Sequence, residues 1–251
     1  RHFPDGERYI RILMDVDGQD VVVVQNTFPD KKIVELLLIL QAVKEAGAKT
    51  VTCVIPYMGY SRQERIFQAG EARSAKAIAG VLGSMCDRIF TINVHTPAVL
   101  DFFGCEAKDI NGSREVVRYL KGFKPDMVIA PDEGSKDRCT LAASMLKVPV
   151  HVMKKVRIDG RTVETTSGPV DVKGCTAVIL DDIISTGGTI ATAANILRDG
   201  GAERILAACT HGLFIEDAAN RLRVCDDILS SDTLEGVYTR FSVAPAIADA
   251  L

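Results

Sequence analysis

At 251 residues the chain is long enough for one large domain or two small ones around a substantial core, which argues against disorder. Apolar residues at 47% and charged residues at 25% are ordinary globular usage and exclude a coiled coil or a low-complexity polymer. Thirty basic against thirty-three acidic side chains leave a net charge of −3, so nothing draws the chain generally to nucleic acid or an anionic membrane.

The opening RHFPDGERYIR is charged and has no apolar stretch of leader length, although the chain starts at Arg1 and not at methionine. A predicted strand at 21–24 leads to a helix at 31–46, then a strand at 51–55, a helix at 74–84 and a strand at 89–94. The helix at 31–46 is apolar on nearly every side, which predicts deep burial or a place at a subunit interface. Its LLLIL run is the longest unbroken apolar one, far short of the roughly 20 residues that cross a bilayer. Further on come a helix at 113–120, a strand at 127–130, a helix at 137–146, a strand at 177–180, a helix at 189–199 and a strand at 205–209. Most of these strands are apolar almost throughout, as strands covered on both faces are, and several helices stop at glycine. The alternation predicts an α/β fold with mainly parallel sheets flanked by helices.

GSMCDRIFTINVH at 83–95 resembles GGAERILAACTH at 200–211, which points to two similar halves, 1–110 and 111–251, with the final helix packing back on the first. Any helix, glycine, strand unit also looks like this. The seven cysteines are odd in number and form no C-x-x-C pair, which disfavours a disulfide framework or zinc knuckle and favours a reducing, cytoplasmic setting.

The most informative stretch is AVILDDIISTGGTIATAANIL at 177–197. A buried strand ends in Asp181 and Asp182, and a loop of Ser185, Thr186, Gly187, Gly188 and Thr189 runs into an alanine-rich helix. Unpaired N–H groups and the positive dipole at a helix start, with glycines that let the backbone close in, make a phosphate cradle. The paired aspartates suit two adjacent sugar hydroxyls or a divalent cation held partly through water. The lysine of a Walker A loop is absent. A second stretch, VIPYMGYSRQERIFQAGEARSAK at 54–76, places Arg62, Gln63 and Arg65 after a strand, where arginines can pair with phosphate oxygens of a triphosphate. Alone, that segment also describes a solvated arginine face.

FPDGE at 3–7, PYMGYSRQE at 56–64, NVH at 93–95, APDEGS at 130–135, KKVR at 154–157, LDDIISTGGT at 180–189 and THGLF at 210–214 occur in one order. Together they resemble the ribose-phosphate pyrophosphokinase family over nearly the whole chain; the family's usual opening strand and helix before FPDGE are missing. The Asp-Asp loop alone is shared with phosphoribosyltransferases, and an inactive regulatory homologue is a third alternative.

The resemblance implies two phosphoribosyltransferase-like halves, ATP on the first and ribose 5-phosphate on the second, in a homo-oligomer built from dimers. It implies that Phe3, Asp5 and Glu7 belong to a loop covering the adenine of a neighbouring subunit, and that Arg62, Gln63, Arg65 and His95 bind ATP. His95 and Asp132 are implied as magnesium ligands. Asp181 and Asp182 are implied to hold the ribose hydroxyls, 185–189 the 5-phosphate, and Lys155 and Arg157 to be catalytic, with a register uncertainty of one residue because Lys154 is adjacent.

Overall fold

The computed structural model describes residues 1, 3–157, 163–166 and 171–251, with backbone alone at 154–157 and 163–166. They divide into two compact units, Arg1–Asn111 and Gly112–Leu251.

In the first unit β1 (Asp20–Val24), α1 (Lys31–Glu45), β2 (Thr50–Ile55), α2 (Ser74–Gly83), β3 (Arg88–Ile92) and β4 (Glu106–Ile110) follow one another, with a 3-10 helix at Pro97–Phe102 before β4. The four strands are all parallel and lie in sequence order. Their core gathers Leu36, Leu40 and Val43 from α1, Val51, Cys53 and Ile55 from β2, and Ala75, Ala79 and Leu82 from α2. Burying each of the larger of these side chains stabilises the fold by roughly 1.5–3 kcal/mol relative to exposure.

Helix α1 departs from its expected deep burial. Only the stripe Ile33, Leu36, Leu40 and Val43 is buried, at the three- and four-residue spacing of one helical face, while Val34 and Leu38 are 53% and 39% exposed. Strand β1 is likewise not covered on both faces, since Val22 and Val24 are exposed where Val23 is buried. It lies at the sheet edge, and α1 shields one side of it.

The second unit contains α3 (Ser113–Leu120), β5 (Met127–Ala130), α4 (Lys136–Leu146), β6 (Val150–Val152), β7 (Lys154–Arg157), β8 (Val163–Thr166), β9 (Thr176–Ile184), α5 (Gly188–Asp199), β10 (Arg204–Gly212), α6 (Ala218–Arg221), β11 (Asp227–Ser231), β12 (Thr239–Phe241) and α7 (Ala244–Ala248). Its sheet has the order β12-β11-β10-β9-β5-β6, all parallel, while β7 and β8 form a separate antiparallel ribbon. Alternation along β9 sends Ala177 and Ile179 into a core with α5, and Val178 and Leu180 into a core with α3 and α4. Both faces of this sheet are therefore covered, as the apolar strands predict. Helix α7 packs against α3.

The chain builds β5 and β6 outward on one side, then crosses back to build β9, β10, β11 and β12 outward on the other. Strand order thus reverses between β5 and β9, and in open α/β sheets ligands bind outside the carboxyl ends of strands at such a point. The two strands are in register from Met127↔Ala177 to Ile129↔Ile179, so the residues that follow them emerge side by side.

Candidate functional site

Strand β9 does not stop before the acids. Pairing with β10 continues through His211↔Ile183 and Gly212↔Ile184, so Asp181 and Asp182 are still strand residues and begin on opposite faces of the sheet. Arg138, in the first turn of α4, joins them: its Nη1 donates to Asp181 Oδ1 and to Asp182 Oδ1, both at 3.0 Å. Asp181 Oδ1 also accepts from the Asp182 N–H at 2.9 Å, and Asp182 Oδ1 from the Ile183 N–H at 2.9 Å. Burial, reinforced by the neighbouring Asp182 charge, lifts the Asp181 carboxyl from its usual value to about 7, against the pull of Arg138. Arg138 is not distinguished by any sequence spacing; only the packing of α4 against β5 and β9 reveals it.

The loop at 185–189 then enters α5. Gly187 caps the helix with φ +76°, a left-handed conformation that favours glycine, and accepts the first helical bond from Ala191 N at 2.8 Å. The N–H groups of the first turn of α5 have no intrahelical acceptor, so they and the helix dipole offer a site for an anion. A second segment holds the loop from behind. Leu213 N and Phe214 N donate to Ile184 O at 2.9 and 3.2 Å, Ile215 N to Ser185 O at 3.1 Å, and Arg221 Nη1 to Thr186 O at 3.2 Å. This is the structural work of THGLF, which the sequence marks as a motif without giving it a task.

Asp132 follows β5 in extended backbone. It caps the 3-10 turn Glu133–Ser135, with Oδ1 accepting from Ser135 N at 3.2 Å and its carbonyl accepting from Ser135 Oγ at 2.9 Å. Lys155 and Arg157 lie on β7, opposite Thr165 and Val163 of β8; their side chains, and residues 158–161 of the same loop, are outside the described residues.

In the first unit Arg62 and Arg65 are exposed, with Arg65 Nε 3.6 Å from Glu64 and its guanidinium over the Phe67 ring at 4.9 Å. Gln63 does local structural work: its Oε1 accepts from Ser74 Oγ at 2.7 Å and its carbonyl from Ala75 N at 3.3 Å, tying the loop to the start of α2. His95 is exposed just past β3, where Asp109 Oδ1 accepts from Thr91 Oγ1 at 2.6 Å and from Val94 N at 2.9 Å and so fixes the turn that presents it. Phe3, Asp5 and Glu7 are all exposed on a closed turn, with Phe3 N donating to Glu7 O at 2.8 Å and Glu7 N to Asp5 Oδ1 at 3.0 Å. The Phe3 ring meets Tyr9 edge-on at 5.5 Å.

Among the described residues no group of three or more His, Cys, Asp or Glu side chains could hold a metal ion. A calcium or zinc cage built wholly from protein is therefore not present among them. Magnesium needs less, one or two carboxylates with water and substrate phosphates completing its shell. The hard oxygens of Asp132 and of the Asp181–Asp182 pair are donors of the required kind.

Two parallel sheets flanked by helices, with an Asp-Asp pair late in a strand that leads into a glycine-capped anion site, define a phosphoribosyl-type α/β protein. The N-terminal domain of ribose phosphate pyrophosphokinase matches residues 1–85, and the phosphoribosyl transferase domain matches residues 108–243. Ribose-phosphate pyrophosphokinase of Methanothermobacter thermautotrophicus is 39% identical over 255 aligned positions, covering 100% of this chain and 90% of the relative. That of Methanopyrus kandleri is 38% identical, covering 99% of this chain and 88% of the relative. The solved phosphoribosylpyrophosphate synthetase from Mycobacterium smegmatis superposes with a TM-score of 0.85 at 29% identity, over 100% of this chain and 87% of that one. The chain belongs to the ribose-phosphate pyrophosphokinase family.

Proposed function

We propose that this chain transfers the diphosphoryl group of ATP to the C1 hydroxyl of ribose 5-phosphate, giving phosphoribosyl diphosphate and AMP for nucleotide biosynthesis. The observation that carries the reading is the Asp181–Asp182 pair, bound by Arg138 and followed directly by the glycine-capped start of α5. A sugar phosphate has the two chemistries this arrangement offers to meet, vicinal hydroxyls that donate to carboxylates and a phosphate that accepts from backbone N–H groups.

The C-terminal unit is the ribose 5-phosphate side, with the hydroxyls on Asp181 and Asp182 and the 5-phosphate at 185–189. The N-terminal unit is the ATP side, with Arg62, Gln63, Arg65 and His95 toward the triphosphate. Phe3, Asp5 and Glu7 cover the adenine of a neighbouring subunit in a homo-oligomer built from dimers; an exposed ring and exposed carboxylates suit a stacking face and the amino edge of the base. The enzyme works in the cytoplasm, and among the described residues no helix is long and apolar enough to cross a membrane.

The C1 oxygen attacks the β-phosphorus and the α-phosphate oxygen leaves. Such a transfer depends on alignment and charge neutralisation more than on covalent help from the protein. Lys155 and Arg157 supply positive charge to the phosphates in the transition state. Asp132 in the second unit and His95 in the first are each a group that would hold magnesium beside substrate oxygens, and the ion would add charge neutralisation of the triphosphate when bound.

Protein, magnesium, ATP and ribose 5-phosphate are mixed and the adenine product identified. AMP formed only when the sugar is present is expected. ADP instead, or AMP formed equally without the sugar, overturns the proposal.

A further inference from the structure

Helix α1 carries one carboxylate that is mostly enclosed, that of Glu35, whose side chain is 16% exposed. Its Oε1 accepts from Gln25 Nε2, just past the end of β1, and from Lys32 Nζ, one turn earlier on α1, both at 3.1 Å. Gln25 is itself fixed, since its backbone N–H donates to Val54 O of β2 at 3.0 Å. These contacts hold the carboxylate in one orientation. The other oxygen, Oε2, is buried and accepts no hydrogen bond among the described residues, but Arg8 Nη2 stands 3.0 Å from it. The Arg8 side chain is enclosed to the same degree, at 18% exposure. A buried carboxylate oxygen is costly unless a counter-charge stands close to it, so the pair keeps the Arg8 guanidinium where it is.

Arg8 directly follows the turn formed by Phe3 to Glu7. Phe3 N donates to Glu7 O at 2.8 Å and Gly6 N to Phe3 O at 3.0 Å, and Tyr9 N closes the base on Arg1 O at 2.9 Å. Those bonds shape the turn but do not aim it relative to the sheet. The Arg8–Glu35 pair does, because Glu35 sits on a helix whose Leu36 and Leu40 are fully buried in the core of the unit. A side chain one residue from the turn and tied to a rigid element sets the direction in which Phe3, Asp5 and Glu7 project.

We propose that, given the adenine-covering role of the turn on which this rests, Glu35 is a positioning residue for nucleotide binding that acts through Arg8. It touches no reacting atom. Its loss therefore changes how tightly ATP is held and not how fast the bound complex reacts.

The test is initial-rate kinetics on the whole chain, each substrate varied at saturating levels of the other, with thermal unfolding of every variant. Glu35→Gln keeps an oxygen for Gln25 and Lys32 but removes the charge that faces Arg8. Arg8→Met cuts the same link from the other side and leaves the helix intact, so it decides the matter even where Glu35→Gln folds poorly. Each is expected to raise KM for ATP about three- to fivefold, as the loss of one partly enclosed ion pair would, with kcat and KM for ribose 5-phosphate little changed. The double variant is expected to be no worse than the weaker-binding single one, because both cut one link, and Arg8→Lys to recover most of the affinity. Phe3→Ala provides the reference for the turn itself. A raised KM for ATP in Phe3→Ala with none in Arg8→Met overturns the inference and leaves the adenine reading standing. Equal changes in both KM values, or additive effects in the double variant, also overturn it. An unchanged KM for ATP in Phe3→Ala removes the adenine reading and the inference together.

Discussion

Two adjacent glycines separate the stability of the phosphate loop from its use. At Gly187 an added Cβ meets three side-chain atoms of Leu222 at 3.0, 3.3 and 3.3 Å, and Leu222 is fully buried, so it cannot swing away. The left-handed φ of +76° costs a non-glycine residue about 1–2 kcal/mol, and pressing a methyl into a packed core about 1–3 kcal/mol. A gain of about 0.4–1 kcal/mol from the stiffer unfolded chain offsets part of this, leaving about 2–4 kcal/mol of destabilisation for Gly187→Ala. At about 2–4 °C per kcal/mol for a chain of this size, Tm falls by roughly 5–15 °C. Gly188, the first residue of α5, has an ordinary φ and nothing within 4 Å of its would-be Cβ. Gly188→Ala therefore leaves Tm unchanged or slightly raised, and the expected effect of a methyl at this first residue of α5 is to hinder a phosphate approaching the N–H groups of that turn. A loss of about 1.4 kcal/mol in that contact raises KM for ribose 5-phosphate about tenfold. Thermal unfolding and initial-rate kinetics on both variants decide the matter. An unchanged Tm in Gly187→Ala refutes the packing argument; an unchanged KM for the sugar phosphate in Gly188→Ala refutes the cradle.

The raised Asp181 carboxyl makes sugar binding pH-dependent. Its folded value of about 7 lies above its ordinary 3.8, so the group favours the folded state most below 3.8 and that contribution is lost as pH rises through about 7. Ionisation over the same range turns both oxygens into charged acceptors for the sugar hydroxyls, so affinity for ribose 5-phosphate rises between pH 6 and 8, and Asp181→Asn flattens the profile; a wild-type profile without a step near 7 counts against the assignment. Arg138→Met removes the cation shared by the two acids, which moves that step to higher pH and weakens the sugar phosphate more than ATP, as isothermal titration at several pH values would show. Lys155→Ala lowers turnover by about two to three powers of ten, or roughly 3–4 kcal/mol of barrier, while ribose 5-phosphate binding changes little. Turnover equal to wild type removes Lys155 from the transition state.

Much of the fold was legible because its signals are local. Apolar β-branched runs, glycine stops and the change from one hydrophobic period to another mark β2, β3, β5, β9 and β10 and the helices between them. What escaped was short or polar: β4 reads EAKDI, β6 and β12 have three residues each, and their pairing is supplied by neighbours and not by their own side chains. The expected end of β9 at Leu180 was early because two carboxylates do not look like strand, yet hydrogen bonds from β10 carry the ladder to Ile184.

By itself the sequence determined that one loop, 185–189, leads from a strand into a helix behind two adjacent acids, because a cradle of this kind is built from consecutive residues. It also determined that Arg62, Gln63 and Arg65 share one segment. Only the tertiary structure decided that the sheet order reverses between β5 and β9, and that Arg138, more than forty positions away, bridges both acids. Likewise it alone revealed that the chain from Leu213 to Arg221 braces the phosphate loop. The physical reason is the same each time: these contacts join segments through strand pairing and helix packing, and their spacing along the chain carries no period from which they could be read.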